Sequence, residues 1–103
     1  MAAQLLVLYG HPTDPAAFES YYFATHIPIA KKMPGLRSYT VNDGPVGAGD
    51  GKAPYFLVAI LEFDSKAALG AALASPEGAA AAADVPKFAT GGATLLIYET
   101  KPA

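Results

Sequence analysis

No cysteine occurs in the 103-residue chain, arginine occurs once, and only 16% of the residues are charged. The absence of cysteine excludes disulfides, a thiolate nucleophile and any cysteine-ligated metal. A single arginine, an isolated Lys31-Lys32 pair and a net charge of −2 exclude the clustered basic footprint that nucleic acid requires. The apolar runs LLVLY and YFLVAILEF are far shorter than the ~20 residues of a membrane-spanning helix, so no membrane partner is expected. The opening QLLVLY has no basic region and no long apolar stretch, so no signal peptide is expected and the cytoplasm is the expected location. Ordinary soluble domains carry about 25% charged residues. Here the hydrophobic share is 52% and the mean hydropathy is +0.27. With so little polar surface, one face of this small domain is expected to be buried against another subunit.

What is present reads as one domain over residues 1–103, in alternating strands and helices. Gln4 to Tyr9 is short, apolar and closed by the turn cluster GHPTDP, which predicts a first strand. Asp14-Pro15 supplies an N-cap carboxylate followed by proline at the first helical position. The helix is expected to run from Pro15 to about Ile27, with Phe18, Tyr21, Tyr22, Thr25 and Ile29 in one stripe and His26 at its edge. Pro28 clashes with the carbonyl of residue i−4 and removes its hydrogen bond. A kink is expected there, PIAKKM being a last loose turn that Pro34-Gly35 ends.

Leu36 to Asn42 alternates as a second strand, Arg37 and Tyr39 on one face. The glycine-rich Asp43 to Pro54 reads as a flexible surface loop or hairpin connection. Tyr55 to Phe63 is a third strand. Ser65 caps a second helix through about Leu73, SPEGAAAAADVP adds a helical turn or two, and ATGG leads tightly into a fourth strand, ATLLIYET.

The order β-α-β-β-α-β is the ferredoxin-like split pattern, an α+β two-layer sandwich with both helices on one face. Its strands are apolar on both faces, and two helices cover only one. The other face exceeds the apolar patch a monomer ordinarily tolerates. A homodimer through sheet-to-sheet contact is therefore expected.

Three motifs carry a family likeness: FESYY from Phe18, THIPIA from Thr25, and MPGLRSY from Met33. Together with LYGHPTDPAAF they resemble the EthD family, named for ethyl tert-butyl ether degradation, across residues 4–99. The resemblance implies a dimeric α/β barrel in which two four-stranded sheets close on each other. It also implies a pocket between helices and sheet of each protomer for a small hydrophobic or aromatic molecule, in a family linked to xenobiotic degradation. Relatives in that superfamily often need no cofactor. No Gly-x-Gly-x-x-Gly follows the first strand, so no nicotinamide site and no cofactor is expected.

His26 lies inside the motif. Imidazole titrates near ~6.5 and serves as acid or base at neutral pH; the competing reading is a structural histidine at a helix end. Tyr22, one turn earlier, either donates to a substrate carbonyl or packs in the core. These two are the candidate catalytic groups. Phe18 and Ile29 are candidate ligand walls or core. Tyr39 faces either the pocket or the dimer, and Arg37 either anchors an anion or is a surface charge. His11, in its turn, has no i, i+4 partner to make a metal site, and no metal is expected. The function expected is binding or cofactor-free acid/base transformation of a small hydrophobic molecule. Its alternatives are a non-catalytic accessory protein of an oxidative degradation system, or an oxygen-dependent oxidoreductase.

Overall fold

The computed structural model describes residues 2–103. Strand β1 (Ala3–Gly10) leads into α1 (Pro15–Tyr21), a π-helical turn (Tyr22–His26) and α2 (Ile27–Ala30). Then come β2 (Leu36–Val41), a small hairpin of β3 (Gly47–Ala48) and β4 (Gly51–Lys52), and β5 (Tyr55–Phe63). Helices α3 (Lys66–Ala74) and α4 (Pro76–Asp84), a 3-10 turn (Val85–Lys87) and β6 (Ala93–Glu99) complete the order.

Local chemistry explains the boundaries. The Asp14 carboxylate accepts from Ala17 N–H at 3.1 Å, with Pro15 at the first turn. Ser65 caps α3 in the same way. Ser75 works in both directions: its hydroxyl donates to the Ala72 carbonyl and accepts from Gly78 N–H. The segment expected to give a turn or two is thus a full nine-residue helix. Alanine has the highest helix propensity, and a serine cap with proline at N1 nucleates it.

The main sheet is antiparallel with order β2-β5-β1-β6. With the helices on one side, this is the ferredoxin-like arrangement. Leu5, Val7 and Tyr9 of β1 and Leu57, Ala59, Leu61 and Phe63 of β5 form the helix-side core. Phe18, Tyr22, Leu69 and Ala72 pack down on them. The double glycine before β6 has a steric reason. A Cβ on Gly91 would lie 2.4 Å from the His11 carbonyl oxygen, and Gly92 adopts φ +88°.

The opposite face carries Leu6, Leu8, Val58 and Ile60, half-buried, and Leu96, exposed. The register sets Leu6 between Ile60 and Leu96. Polar groups gather at one end, where Gln4 bonds Glu62 and Tyr98.

Strand β2 departs from the expected alternation. Leu36 pairs with Phe63 and Ser38 with the next β5 residue, Glu62, so Arg37 is the extra residue of a bulge. Beyond it, Tyr39 pairs with Leu61 and Val41 with Ala59, on the core side. Asn42, just after β2, donates to the Gly44 carbonyl and accepts from Val58 N–H, which pins the start of the following loop to β5. Among the described residues, no helix is long and apolar enough to cross a membrane.

Candidate functional site

The site begins with a correction to the helix. Pro28 does not end it. Ile27 N–H donates to the Tyr22 carbonyl, five residues back, and Lys31 N–H bonds Ile27 beyond the proline. Proline removes one donor from the ladder, and the wider turn before it absorbs the mismatch. The widening also changes which residues face inward. Four-residue steps on an ordinary α-helix drift forward by about 40° each. The π turn offsets that drift, so Phe18, Tyr22, His26 and Ala30 are all buried in line. His26 is therefore a mid-helix core residue, 4% exposed, rather than one at the edge of the stripe. Tyr21 and Ile29 become half-buried flanks.

His26 meets a carboxylate from the other end of the helix layer. Its Nδ1 lies 3.0 Å from Asp84 Oδ2, and Asp84, 3% exposed, is the last residue of α4. Tyr21 donates its hydroxyl to Asp84 Oδ1 at 2.6 Å, and Lys87 Nζ stands 3.8 Å from the same oxygen. Burial opposes ionisation of Asp84, but the bonds from Tyr21 and His26 outweigh it and hold the carboxyl below its ordinary value. An ionised carboxylate only accepts, so Nδ1 carries the proton and the lone pair of the neutral ring is on Nε2. The ring is held flat by Tyr22, stacked at 5.3 Å, and by Phe88 at 4.7 Å. Burial lowers the His26 pKa, with Asp84 pulling the other way.

These shifts give stability a pH dependence of one sign. The unfolded imidazole takes its proton near ~6.5, the native one only at lower pH. Between those values the unfolded chain binds more protons, so stability falls as pH falls. Asp84 adds to the loss below ~4, since its native carboxyl resists protonation longer than the unfolded one. Each proton contributes a slope of up to about 1.4 kcal/mol per pH unit. Thermal melts of the wild type should therefore decline as pH drops below ~6.5. In His26→Gln the decline should begin only near ~4; an unchanged onset would contradict the placement of His26.

A cavity of about 60 Å³ lies between the sheet and α2 and α4. His26, Tyr9, Tyr39 and Met33 line it, among otherwise apolar neighbours that include Leu5, Leu61, Ala81 and Val85. His26 Nε2 and the Tyr9 hydroxyl have no hydrogen-bond partner among the described residues. Yet no buried side-chain nitrogen or oxygen there lacks one. Both atoms therefore reach accessible space, and the space both residues line is this cavity. Burial raises the Tyr9 pKa far above 10, which keeps it a neutral donor. Tyr22, 0% exposed, does not line the cavity; its hydroxyl bonds that of Tyr39, which does, at 2.5 Å. Burial raises the pKa of both.

The other expected residues lie elsewhere. Phe18 is core, at 5.5 Å from Tyr9 and Tyr22. Ile29 packs against that core without lining the cavity. Arg37, turned outward by its bulge, pairs with Asp64 at 3.4 Å, both largely exposed. His11 bonds the Ala53 carbonyl at 3.1 Å. Among the described residues no group of three or more His, Asp or Glu side chains is placed to hold a metal ion.

Two residues escaped the sequence reading. Tyr9 was legible only as the end of a strand. Asp84 had a signal: a carboxylate in the last turn opposes the helix dipole, and an otherwise alanine-rich helix has no local reason to keep one there.

The model of the EthD domain matches residues 10–92. An uncharacterised 11.0 kDa protein of Rhodococcus erythropolis, from the thcB-thcC intergenic region, is 43% identical over 97 residues, covering 93% of this chain and 92% of that protein. The crystal structure of an EthD family protein from Bacillus halodurans shares 37% identity and superposes with a TM-score of 0.88 over 98% of this chain and 100% of the other. More distant structures share the fold. One is SnoaB of Streptomyces nogalater, a cofactor-independent oxygenase solved as a mutant, at 20% identity, TM-score 0.66 and coverage of 99% and 94%. Another is a dimeric ferredoxin-like protein of Thermobifida fusca, at 16% identity, TM-score 0.71 and coverage of 97% and 92%.

Proposed function

The chain belongs to the EthD family, and from that membership and its buried site we propose that it transforms a small, largely apolar carbonyl compound by cofactor-free proton transfer. The observation that carries the reading is the His26–Asp84 pair with its free Nε2 on an apolar cavity. Nε2 takes a proton from the carbon next to the carbonyl. The Tyr9 hydroxyl hydrogen-bonds the oxygen on which charge develops, and Asp84 stabilises the imidazolium that forms. Return of the proton to the same carbon exchanges it with solvent, and in a β,γ-unsaturated carbonyl compound its delivery to the γ-carbon gives the conjugated isomer, so neither outcome needs another reactant. Tyr22 acts through Tyr39 by fixing its hydroxyl. The Tyr22 hydroxyl itself is kept from substrate, which makes Tyr22 a positioning residue.

The working unit is a homodimer closed through the open sheet face into an α/β barrel. Leu6, Leu8, Ile60 and Leu96 supply its apolar contact, and the dimeric relative of the same fold supports it. Each protomer keeps its own cavity, which lies on the helix side.

Exchange of the α-protons of a ketone such as butanone in D₂O, followed by NMR, tests the chemistry. Wild type should accelerate exchange, and His26→Ala, folded by circular dichroism, should lose about 10²- to 10⁴-fold of that acceleration. Equal rates would leave a binding protein or a structural histidine. One observation favours a second reading, oxygen-dependent oxidation of an electron-rich substrate: the fold shared with an oxygenase that needs no cofactor. Removing oxygen abolishes turnover in that case and leaves α-exchange untouched in the first.

A further inference from the structure

The cavity at His26 is too small for a whole substrate. Its volume is about 60 Å³. A cavity of ~150 Å³ is what holds one benzene, and a water's share of the liquid is ~30 Å³. The chamber thus takes a carbonyl group and a carbon or two beside it, and the rest of the molecule must lie elsewhere. A second hollow, of about 390 Å³, adjoins it along the edge of β6. Ala82, Val85 and Leu95 line both spaces, and Pro86, Ala89 and Ala93 floor the outer one. Every side chain of that groove is apolar, and four of the six are alanine or proline. Leu95, although it faces the helix side, is 51% exposed.

We infer that the chamber and the groove form one continuous site, whose ligand is a slender, unbranched apolar chain ending in a ketone or other enolisable carbonyl. The inference rests on the proton-transfer reading of His26 for its head group and extends it to the body of the ligand. The carbonyl end enters past Ala82, Val85 and Leu95 and meets Nε2 and the Tyr9 hydroxyl. The chain lies in the groove between β6 and the 3-10 turn after α4. With no cation, anion or hydrogen-bonding side chain along the groove, a charged or hydroxylated tail gains nothing there and loses its hydration. Ala93 and Leu95 pair with Tyr9 and Val7, on the helix side of the sheet and not on the face assigned to the dimer.

A series of straight-chain 2-ketones from butanone to 2-undecanone, titrated by NMR against the whole protein, reads the length of the site. Each added methylene should tighten binding about 3- to 4-fold until the groove is filled. Ala82→Phe, at an exposed helical position that lines both spaces, should flatten that dependence. Ala83→Phe, also exposed and lining neither space, should leave it intact and controls for the fold. Affinity that does not rise with chain length, or a rise that survives Ala82→Phe, overturns the continuous site even if α-exchange is catalysed. Chain-length-dependent binding that Ala82→Phe removes, with no α-exchange, upholds the site and overturns the proton-transfer chemistry instead.

Discussion

Asp84→Asn is expected to lower α-proton exchange by about 10²- to 10⁴-fold while leaving the protein folded. The carboxylate has two functions at His26. It accepts the Nδ1 proton and so leaves Nε2 as the basic nitrogen, and its charge stabilises the ring once Nε2 is protonated. Asparagine is neutral. Its amide can turn a donor toward Nδ1, which moves the ring proton to Nε2 and removes the base from the cavity. The amide oxygen still accepts from Tyr21, so the fold persists. Stability should drop by about 1.5–3 kcal/mol for the lost charged hydrogen bond, offset in part by relief of an anion at a helix C-terminus. For a chain of this size each kcal/mol is about 4–8 °C in Tm. Exchange rate and thermal melt measured on the same preparation separate the two effects. A variant that melts lower and exchanges as fast as wild type would show that Asp84 only holds the helices together.

Leu6→Lys should turn a dimer into a monomer. Leu6 sits in the middle of the open face, between Ile60 and Leu96. A symmetric contact places it at the interface twice. Full burial of a leucine contributes about 1.5–3 kcal/mol, and Leu6 is already half-buried in the protomer, so two removed leucines weaken association by about 1.5–3 kcal/mol, or ~10- to 10²-fold, before the cost of burying two ammonium groups. Sedimentation at micromolar concentration should find wild type as a dimer and the variant as a monomer with unchanged circular dichroism. A monomeric wild type would contradict the assignment of this face. Leu8→Lys, on the same face one pair further along β1, gives the same reading if the first variant folds poorly.

The fold was legible because its signals are local. Short continuous apolar runs in β1 and β5 bounded by turn residues, a capped helix at Asp14-Pro15 and another at Ser65 fix the element order. The pairing of β1 with both β5 and β6 then follows the ferredoxin-like pattern. The helix around His26 was legible as perturbed, but the form of the perturbation was not. Pro28 does perturb the helix, but by a π turn rather than a stop, and hydrogen-bond accounting across five residues is not visible in a list of residue types. The bulge at Arg37 is similar: one unpaired residue reverses which side chains face inward, and nothing local in LRSYTV announces it. Asp84 lies 58 residues from His26, so their contact exists only once both helices pack on one sheet.

α-Proton exchange by the wild-type protein at pH 7 tests the central claim most directly. Butanone in D₂O, with protein and with an equal mass of His26→Ala, is followed by NMR without added metal or cofactor. Faster exchange with wild type alone, weakening as the solution is acidified and His26 Nε2 takes its proton, is the predicted result. Exchange at the buffer rate with both proteins, while longer ketones still bind, would contradict a base at His26 and make this a binding protein.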